Sequence, residues 1–246
     1  MTSQPTKLIL VEPSGPLNIG SVARLCENFG IKELRLVAPR CDPNNQEARR
    51  MAIKGKKLLD SAKEYSCLLD AIADCRGIIA TSGRIDHGTI PLCSPKEAIK
   101  WSLETLEESP LALVFGREDN GLTNEELLLA QKVITIETAS SYKSLNLSHA
   151  VAIVLNELQH SRSQRVTKND QLTNVKGPAS PRQINDCIND AEKLLLQIGF
   201  LYKHTSKARM SKIKALMQRA SIQPEEVSLI RGILRQMRWA MTNQNF

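Results

Sequence analysis

Five short runs rich in Ile, Val and Leu (residues 8–12, 33–38, 77–82, 111–116 and 133–137) recur through the first 160 residues, with helical patterns between them. A run of five or six branched apolar residues bounded by turn signals reads as a strand buried on both faces. Such strands alternating with helices imply crossover connections, and so an α/β domain whose mostly parallel sheet is covered on both sides. The helices announce themselves locally. Ser94-Pro95-Lys96-Glu97 combines an N-cap, a proline at the first helical position and a capping-box glutamate. Thr123-Asn124-Glu125-Glu126 is a second capping box, predicted to open a helix to about residue 131. From Leu147 to about Gln159, Ala150, Val151, Val154, Leu155 and Leu158 share one helical face.

The last third is different. Residues 163–181 are polar with two prolines and a glycine, which is linker composition. Beyond them no strand-like run appears, and three apolar sets repeat at helical spacing. These are Ile184, Ile188, Ala191, Leu195 and Ile198; then Met210, Ile213, Leu216 and Met217; then Val227, Ile230, Ile233, Leu234 and Met237. The expectation is a first domain over 1–162, a linker over 163–181, and a small domain of three short helices over 182–246.

Charge follows the same division. Residues 1–159 carry 18 basic and 20 acidic side chains, whereas residues 160–246 carry 15 and 6. Lys203, Lys207, Arg209, Lys212, Lys214 and Arg219 follow one another with no acid between them. A polyanion explains this concentration, because each neutralised phosphate releases condensed counterions. A solvated helix face is the plainer reading of a charge run. A membrane surface is disfavoured by the scarcity of aromatics in the segment.

Several classes are excluded. The longest unbroken apolar run, residues 150–155, is far short of the roughly 20 residues of a membrane span. The first seven residues lack the apolar stretch of a secretory signal, so a cytosolic protein is expected. The six cysteines form no C-x-x-C pair and read as reduced thiols; no metal site is expected. Neither a G-x-G-x-x-G loop nor a P-loop is present. His87, His149, His160 and His204 are scattered and read as structural or surface residues.

Open α/β sheets bind ligands beyond the carboxyl ends of their strands, and four polar, glycine-bearing or amide-bearing segments fall there. They are residues 18–24 (Asn-Ile-Gly-Ser-Val-Ala-Arg), 81–84 (Thr-Ser-Gly-Arg), 115–122 (Phe-Gly-Arg-Glu-Asp-Asn-Gly-Leu) and 142–148 (Tyr-Lys-Ser-Leu-Asn-Leu-Ser). Singly, each can be an ordinary turn with a helix cap. Their joint order resembles the SPOUT superfamily of RNA methyltransferases, in its SpoU-like branch of ribose 2'-O-methyltransferases. The three motifs of that branch, N-x-G-x-x-x-R, F-G-x-E-x-x-G-L and S-L-N-x-S/A-x-A, stand here at Asn18–Arg24, Phe115–Leu122 and Ser144–Ala150, within a match over about residues 7–160. The helical C-terminal segment and the wording around Ser144-Leu145-Asn146 look most like the TrmJ subfamily, which acts on tRNA.

The resemblance implies a sheet whose C-terminal segment is threaded as a trefoil knot, a rare exception to the rule against knots. It implies S-adenosylmethionine as cofactor, tRNA rather than DNA as partner, and a homodimer with each site completed near the subunit interface. Carried over by motif, the cofactor pocket is Thr81, Ser82, Gly83, Gly116, Ile136, Lys143, Ser144, Leu145 and Asn146. The catalytic group is Arg24 with Ser144 and Asn18. A guanidinium stays protonated, so Arg24 is expected to orient the hydroxyl and stabilise negative charge on its oxygen rather than act as a base. Glu118 reads as a loop organiser paired with an arginine. Arg84, Lys207, Arg209, Lys212 and Lys214 are the expected RNA contacts. Asp86 stands where many TrmJ-like sequences have a second arginine. The reaction implied is 2'-O-methylation of cytidine or uridine at position 32 of the tRNA anticodon loop. The same chemistry on ribosomal RNA or another tRNA site, and a non-catalytic RNA-binding protein of the same fold, are the alternatives.

Overall fold

The computed structural model describes residues 4–83, 91–106, 108–139, 144–166 and 177–243. The first strand, β1 (Thr6–Val11), is buried along its whole length. Successive side chains of a strand point to opposite faces. Leu8 and Leu10 accordingly join one core and Ile9 and Val11 the other. After β1 come α1 (Pro16–Asn28), β2 (Glu33–Val37), α2 (Gln46–Ala52), a 3-10 turn (Ile53–Gly55), α3 (Lys56–Asp60), β3 (Lys63–Tyr65), α4 (Leu68–Ala71) and β4 (Gly77–Thr81). They are followed by β5 (Leu92–Cys93), α5 (Pro95–Thr105), β6 (Leu111–Phe115), α6 (Asn124–Leu127), β7 (Lys132–Ile134) and α7 (Leu147–Val166). The helices α8 (Pro181–Gln197), α9 (Lys203–Arg219) and α10 (Pro224–Asn243) complete the chain.

Among the described residues seven strands form one sheet in the order β3-β2-β1-β6-β4-β7-β5, and every pairing between them is parallel. Leu8 lies opposite Leu113 of β6, and Leu113 opposite Ile79 of β4, so the central strands stack leucine and isoleucine on a common face. On that face pack α1, α5 and α7 through Val22, Ile99 and Leu155. The other face is covered by α4 and the segment from Leu122 to Ala130.

The five predicted strands are present, and the sequence pattern missed β3 and β5. Both are partly exposed edge strands: β3 is polar at two of its three positions, and β5 is only two residues long, too short to form a pattern. The Thr123 capping box is formed, yet α6 is a single turn rather than a helix to about 131. Leu129 and Ala130 turn into the core instead, and the Gln131 side chain accepts from the Ile78 amide at 2.7 Å. α7 runs past its predicted end at about 159 to residue 166, so residues 163–166 belong to a helix and not to a linker. Arg162 ties this extra length down by donating to the Gln4 carbonyl (2.8 Å) and the Thr6 hydroxyl (2.7 Å). The expected linker residues 167–176 lie outside the described residues.

The three C-terminal helices are present but are not short, at 17, 17 and 20 residues. α8 starts on a Ser180–Gln183 capping box with Pro181 at its first position. The helices share their own core of Ile184, Leu201, Met210, Met217 and Val227. They also touch the sheet domain: Gln218 donates to the carbonyls of Leu128 (3.2 Å) and Leu129 (3.3 Å). No helix among the described residues is long and apolar enough to cross a membrane. The expected knot turns on the path of residues 84–90 and 140–143, which lie outside the described residues.

Candidate active site

Loops leaving three adjacent strands, β6, β4 and β7, close around a cavity of about 350 Å³ at the carboxyl edge of the sheet. That volume suits a small organic ligand. β4 delivers Thr81, Ser82 and Gly83; the segment after β7 delivers Ile136, Ser144 and Leu145; α7 adds Leu147 and Ala150. The loop after β6 supplies Gly116 through Gly121. It is pinched shut by backbone bonds from Arg117 N to Gly121 O (3.3 Å) and from Gly121 N to Arg117 O (3.0 Å). A Cβ on Gly116 would stand 2.3 Å from the Gly121 carbonyl carbon, so only glycine fits beneath this pinch.

Seven of the nine residues expected to form the cofactor pocket line this cavity: Thr81, Ser82, Gly83, Gly116, Ile136, Ser144 and Leu145. Asn146 stands in the adjoining pocket with Asn18 and Glu118. Lys143 and Arg84 lie outside the described residues, as does Asp86. Phe115, Arg117, Leu147 and Ala150 also line the cavity; they belong to the motif segments but were not among the residues expected to hold the cofactor. Their position at a strand end or in the first turn of the next helix is the signal that marks them.

Charged side chains hold the loop from outside. The Arg117 guanidinium donates to both oxygens of Glu126 (2.9 and 3.0 Å), to the Gly121 carbonyl (3.1 Å) and to Glu12. Glu12, at the end of β1, also receives Arg40 at 2.5 and 2.8 Å. The hydrogen bond from Arg117, working against a desolvation penalty and helped by Arg40, brings the Glu12 carboxyl down to about 2.

Glu118 organises its loop, but its partner is not an arginine. It accepts from the amides of Ser14 (3.0 Å) and Gly15 (3.1 Å), the Ser14 hydroxyl (3.0 Å) and the Asn18 amide nitrogen (3.0 Å). Burial opposes ionisation here, and these donors outweigh it, so the carboxyl lies below its ordinary range. Asn18 in turn accepts from Asn146 (3.0 Å), whose oxygen caps α7 by accepting from the Ser148 amide (2.9 Å). One polar chain thus links the loops after β1, β6 and β7. Asn18 spends both ends of its amide in it.

Arg24 is exposed on α1, makes no hydrogen bond or ion pair with any described residue, and does not line the cavity. Gly20 of the same motif is buried where α1 meets α2 at the Ala48 carbonyl. Arg84 aside, the expected RNA-binding cations Lys207, Arg209, Lys212 and Lys214 lie on α9. Lys207 reaches Glu125 of α6 at 2.6 Å, and Arg209 donates to the Phe200 carbonyl at 3.1 Å. Lys214 is half-buried, and burial, partly offset by Glu125, pulls its ammonium below the ordinary lysine value. Among these four, Lys212 alone is exposed without a partner among the described residues.

A parallel sheet with its site built from these three motif loops defines a class. The model of the SpoU rRNA methylase family matches residues 5–156, and the chain belongs to that family. The remainder narrows the likeness. Residues 183–246 match the C-terminal domain of the tRNA methyltransferase TrmJ. The chain is 33% identical over 232 residues, 93% of its own length and 94% of the other's, to the tRNA (cytidine/uridine-2'-O-)-methyltransferase TrmJ of Pectobacterium atrosepticum. It is equally 33% identical over 239 residues, 93% of this chain and 91% of the other, to the tRNA (cytidine/uridine/adenosine-2'-O-)-methyltransferase TrmJ of Pseudomonas aeruginosa. Among solved structures, TrmJ from Z. mobilis ZM4 superposes with a TM-score of 0.82 at 28% identity, over 95% of this chain and 99% of that one.

Proposed function

We propose that this chain methylates the 2'-hydroxyl of a pyrimidine ribose in tRNA, at position 32 of the anticodon loop, with S-adenosylmethionine as donor, acting as a cytoplasmic homodimer. The observation that carries the reading is the cavity in which the motif loops after β4, β6 and β7 meet. Its lining suits the cofactor. Main-chain N–H and C=O groups of the glycine-bearing loops can read a purine edge, and Ile136, Leu145 and Leu147 offer apolar walls. When bound, S-adenosylmethionine supplies a methyl group on a positively charged sulfur.

The acceptor hydroxyl must shed its proton while its oxygen is held in line with the methyl carbon. Arg24 orients the hydroxyl or a neighbouring phosphate and stabilises the developing negative charge, remaining protonated throughout. Ser144, exposed at the cavity rim, hydrogen-bonds the same region. Asn18 and Asn146 act as positioning residues through Glu118 and the cap of α7. Arg24 stands clear of its own chain's cavity, which supports a second subunit delivering it. The basic helical unit over 182–246 holds the tRNA by phosphate and shape contacts, with Arg84, Lys207, Arg209, Lys212 and Lys214 contributing. Residues 1–162 form the methyltransferase domain, threaded as a knot around the cofactor loops, and 163–181 contain the connection between the two.

Incubation with bulk tRNA and S-adenosylmethionine, followed by mass-spectrometric mapping of ribose-methylated nucleotides, tests this. New 2'-O-methylcytidine or 2'-O-methyluridine at position 32 is the expected result. Methylation confined to ribosomal RNA, or at another tRNA site, replaces the substrate assignment; no transfer to any RNA despite cofactor binding leaves a non-catalytic RNA-binding protein.

A further inference from the structure

Two residues beyond the end of α8 stands Gly199, whose φ of +75° lies in the left-handed region that favours glycine. The Gly199 amide donates to the Leu196 carbonyl (3.2 Å) and the Leu201 amide to the Leu195 carbonyl (3.0 Å), which fixes the turn. Leu201 is then driven into the core of the helical unit, 2% exposed. Its two neighbours face outward: Phe200 is 57% exposed and Tyr202 is 59% exposed.

Neither ring stands alone. The Arg209 guanidinium lies 5.7 Å from the centre of the Phe200 ring. The Tyr202 ring stacks on His204 at 5.9 Å with an 18° interplanar angle. Residues 199–219 contain no acid, and Lys203 and Lys207 follow Tyr202 one and five positions on. Glu125 of α6 is the acid that reaches this stretch, at Lys207.

We propose that Phe200 and Tyr202 form a stacking platform for an unpaired base of the RNA substrate. The inference rests on the RNA-methylating reading above and adds to it a means of holding single-stranded nucleotides. Exposed aromatic rings, one of them beside the Arg209 guanidinium, in a stretch that carries cations and no acid match the two features that a nucleotide offers, a flat π-face and a phosphate. A base within an A-form duplex is stacked on both sides and sunk in its grooves, so the platform selects loop nucleotides over paired ones. An apolar protein partner would leave the surrounding cations desolvated and unpaired.

The test uses the full-length protein and tRNA at fixed salt. Phe200→Ala and Tyr202→Ala are each expected to weaken tRNA binding about 5- to 150-fold, the range for loss of one base stack. They should do so without changing the slope of log Kd against log salt, because no phosphate contact is removed. The leucine variants should behave like alanine, whereas Phe200→Trp and Tyr202→Phe should retain affinity. In Phe200→Trp the introduced indole, read against the wild-type signal of Trp101 and Trp239, should be quenched by tRNA but not by heparin, a polyanion without bases. Alanine variants that bind within twofold of wild type, leucine variants that bind fully, or equal quenching by heparin would each overturn the platform. Wild-type protein that binds and methylates tRNA while the variants match it leaves the tRNA reading intact and the platform refuted. Wild-type protein that binds no tRNA refutes both.

Discussion

Gly116→Ala is the change that most directly probes how the cavity is held together. Its Cβ would fall 2.3 Å from the Gly121 carbonyl carbon, 2.5 Å from the Leu122 nitrogen and 2.8 Å from the Gly121 oxygen. Non-bonded carbons rest at about 3.5–4.0 Å, so the loop has to withdraw by roughly 1 Å. All three atoms are main chain, and no side-chain rotation relieves the overlap. Withdrawal is resisted by the Arg117 clamp onto Glu126 and Glu12. Overpacking of this kind costs about 1–3 kcal/mol. Expressed in ligand binding, at about 1.4 kcal/mol per tenfold, that is roughly 5- to 150-fold weaker affinity. Calorimetric titration with adenosylhomocysteine, alongside a thermal melt, measures both parts. Gly20→Ala is the control: its Cβ would meet the Ala48 carbonyl at 2.2 Å in the α1–α2 seam, so it should lower the melting temperature and spare the affinity. A Gly116→Ala protein with affinity within twofold of wild type, or a Gly20→Ala protein losing just as much, would refute the reasoning.

Arg24→Ala should lower kcat at least 100-fold, on the order of one lost charge-stabilising donor, while adenosylhomocysteine binds as before; a parental turnover rate removes Arg24 from the chemistry. The depressed Glu12 carboxyl contributes stability that is whole above its ordinary value of 4.5 and disappears as pH falls from there through about 2. Denaturant unfolding between pH 7 and 2 should show this acid limb flattened in Glu12→Gln, and identical limbs would count against the Arg117–Glu12–Arg40 cluster as its source. Glu125→Gln should release Lys207 and tighten tRNA binding about 1.4- to 5-fold, the scale of an exposed ion pair. Unchanged or weaker binding in a filter assay would remove Lys207 from the RNA surface.

The interior of the sheet was legible because burial on both faces leaves a continuous apolar run, as along β1. Its edges were not: Lys63-Glu64-Tyr65 pairs with β2 through main-chain bonds that ask nothing of side chains. Arg35 shows the opposite failure. It is 2% exposed within β2, where a charge argues against burial, and is held there by Asp74 (2.7 and 2.9 Å), Glu33 (2.7 and 2.9 Å) and the Ala71 carbonyl. Glu33 is a neighbour two residues back on the same strand, but Ala71 and Asp74 lie 36 and 39 residues away, and no local pattern reveals them. The cavity lining was readable because glycines and small polar residues gather at strand ends for a reason that the chain carries locally. The partners of Glu118 were not, since they lie 100 to 104 residues away and two of them are main-chain amides, which leave no side-chain signature.

The grip of Gln218 on the Leu128 and Leu129 carbonyls seats the tail helices directly after α6, the single turn whose Glu126 secures Arg117. The helical arm and the cavity loop therefore share one footing of a few residues. Grafting a foreign tail onto this sheet domain, to redirect it to another RNA, would have to reproduce that seat as well as the tail's own contacts. An insertion between residues 122 and 131 would disturb both the seat of the arm and the loop of the cavity at once.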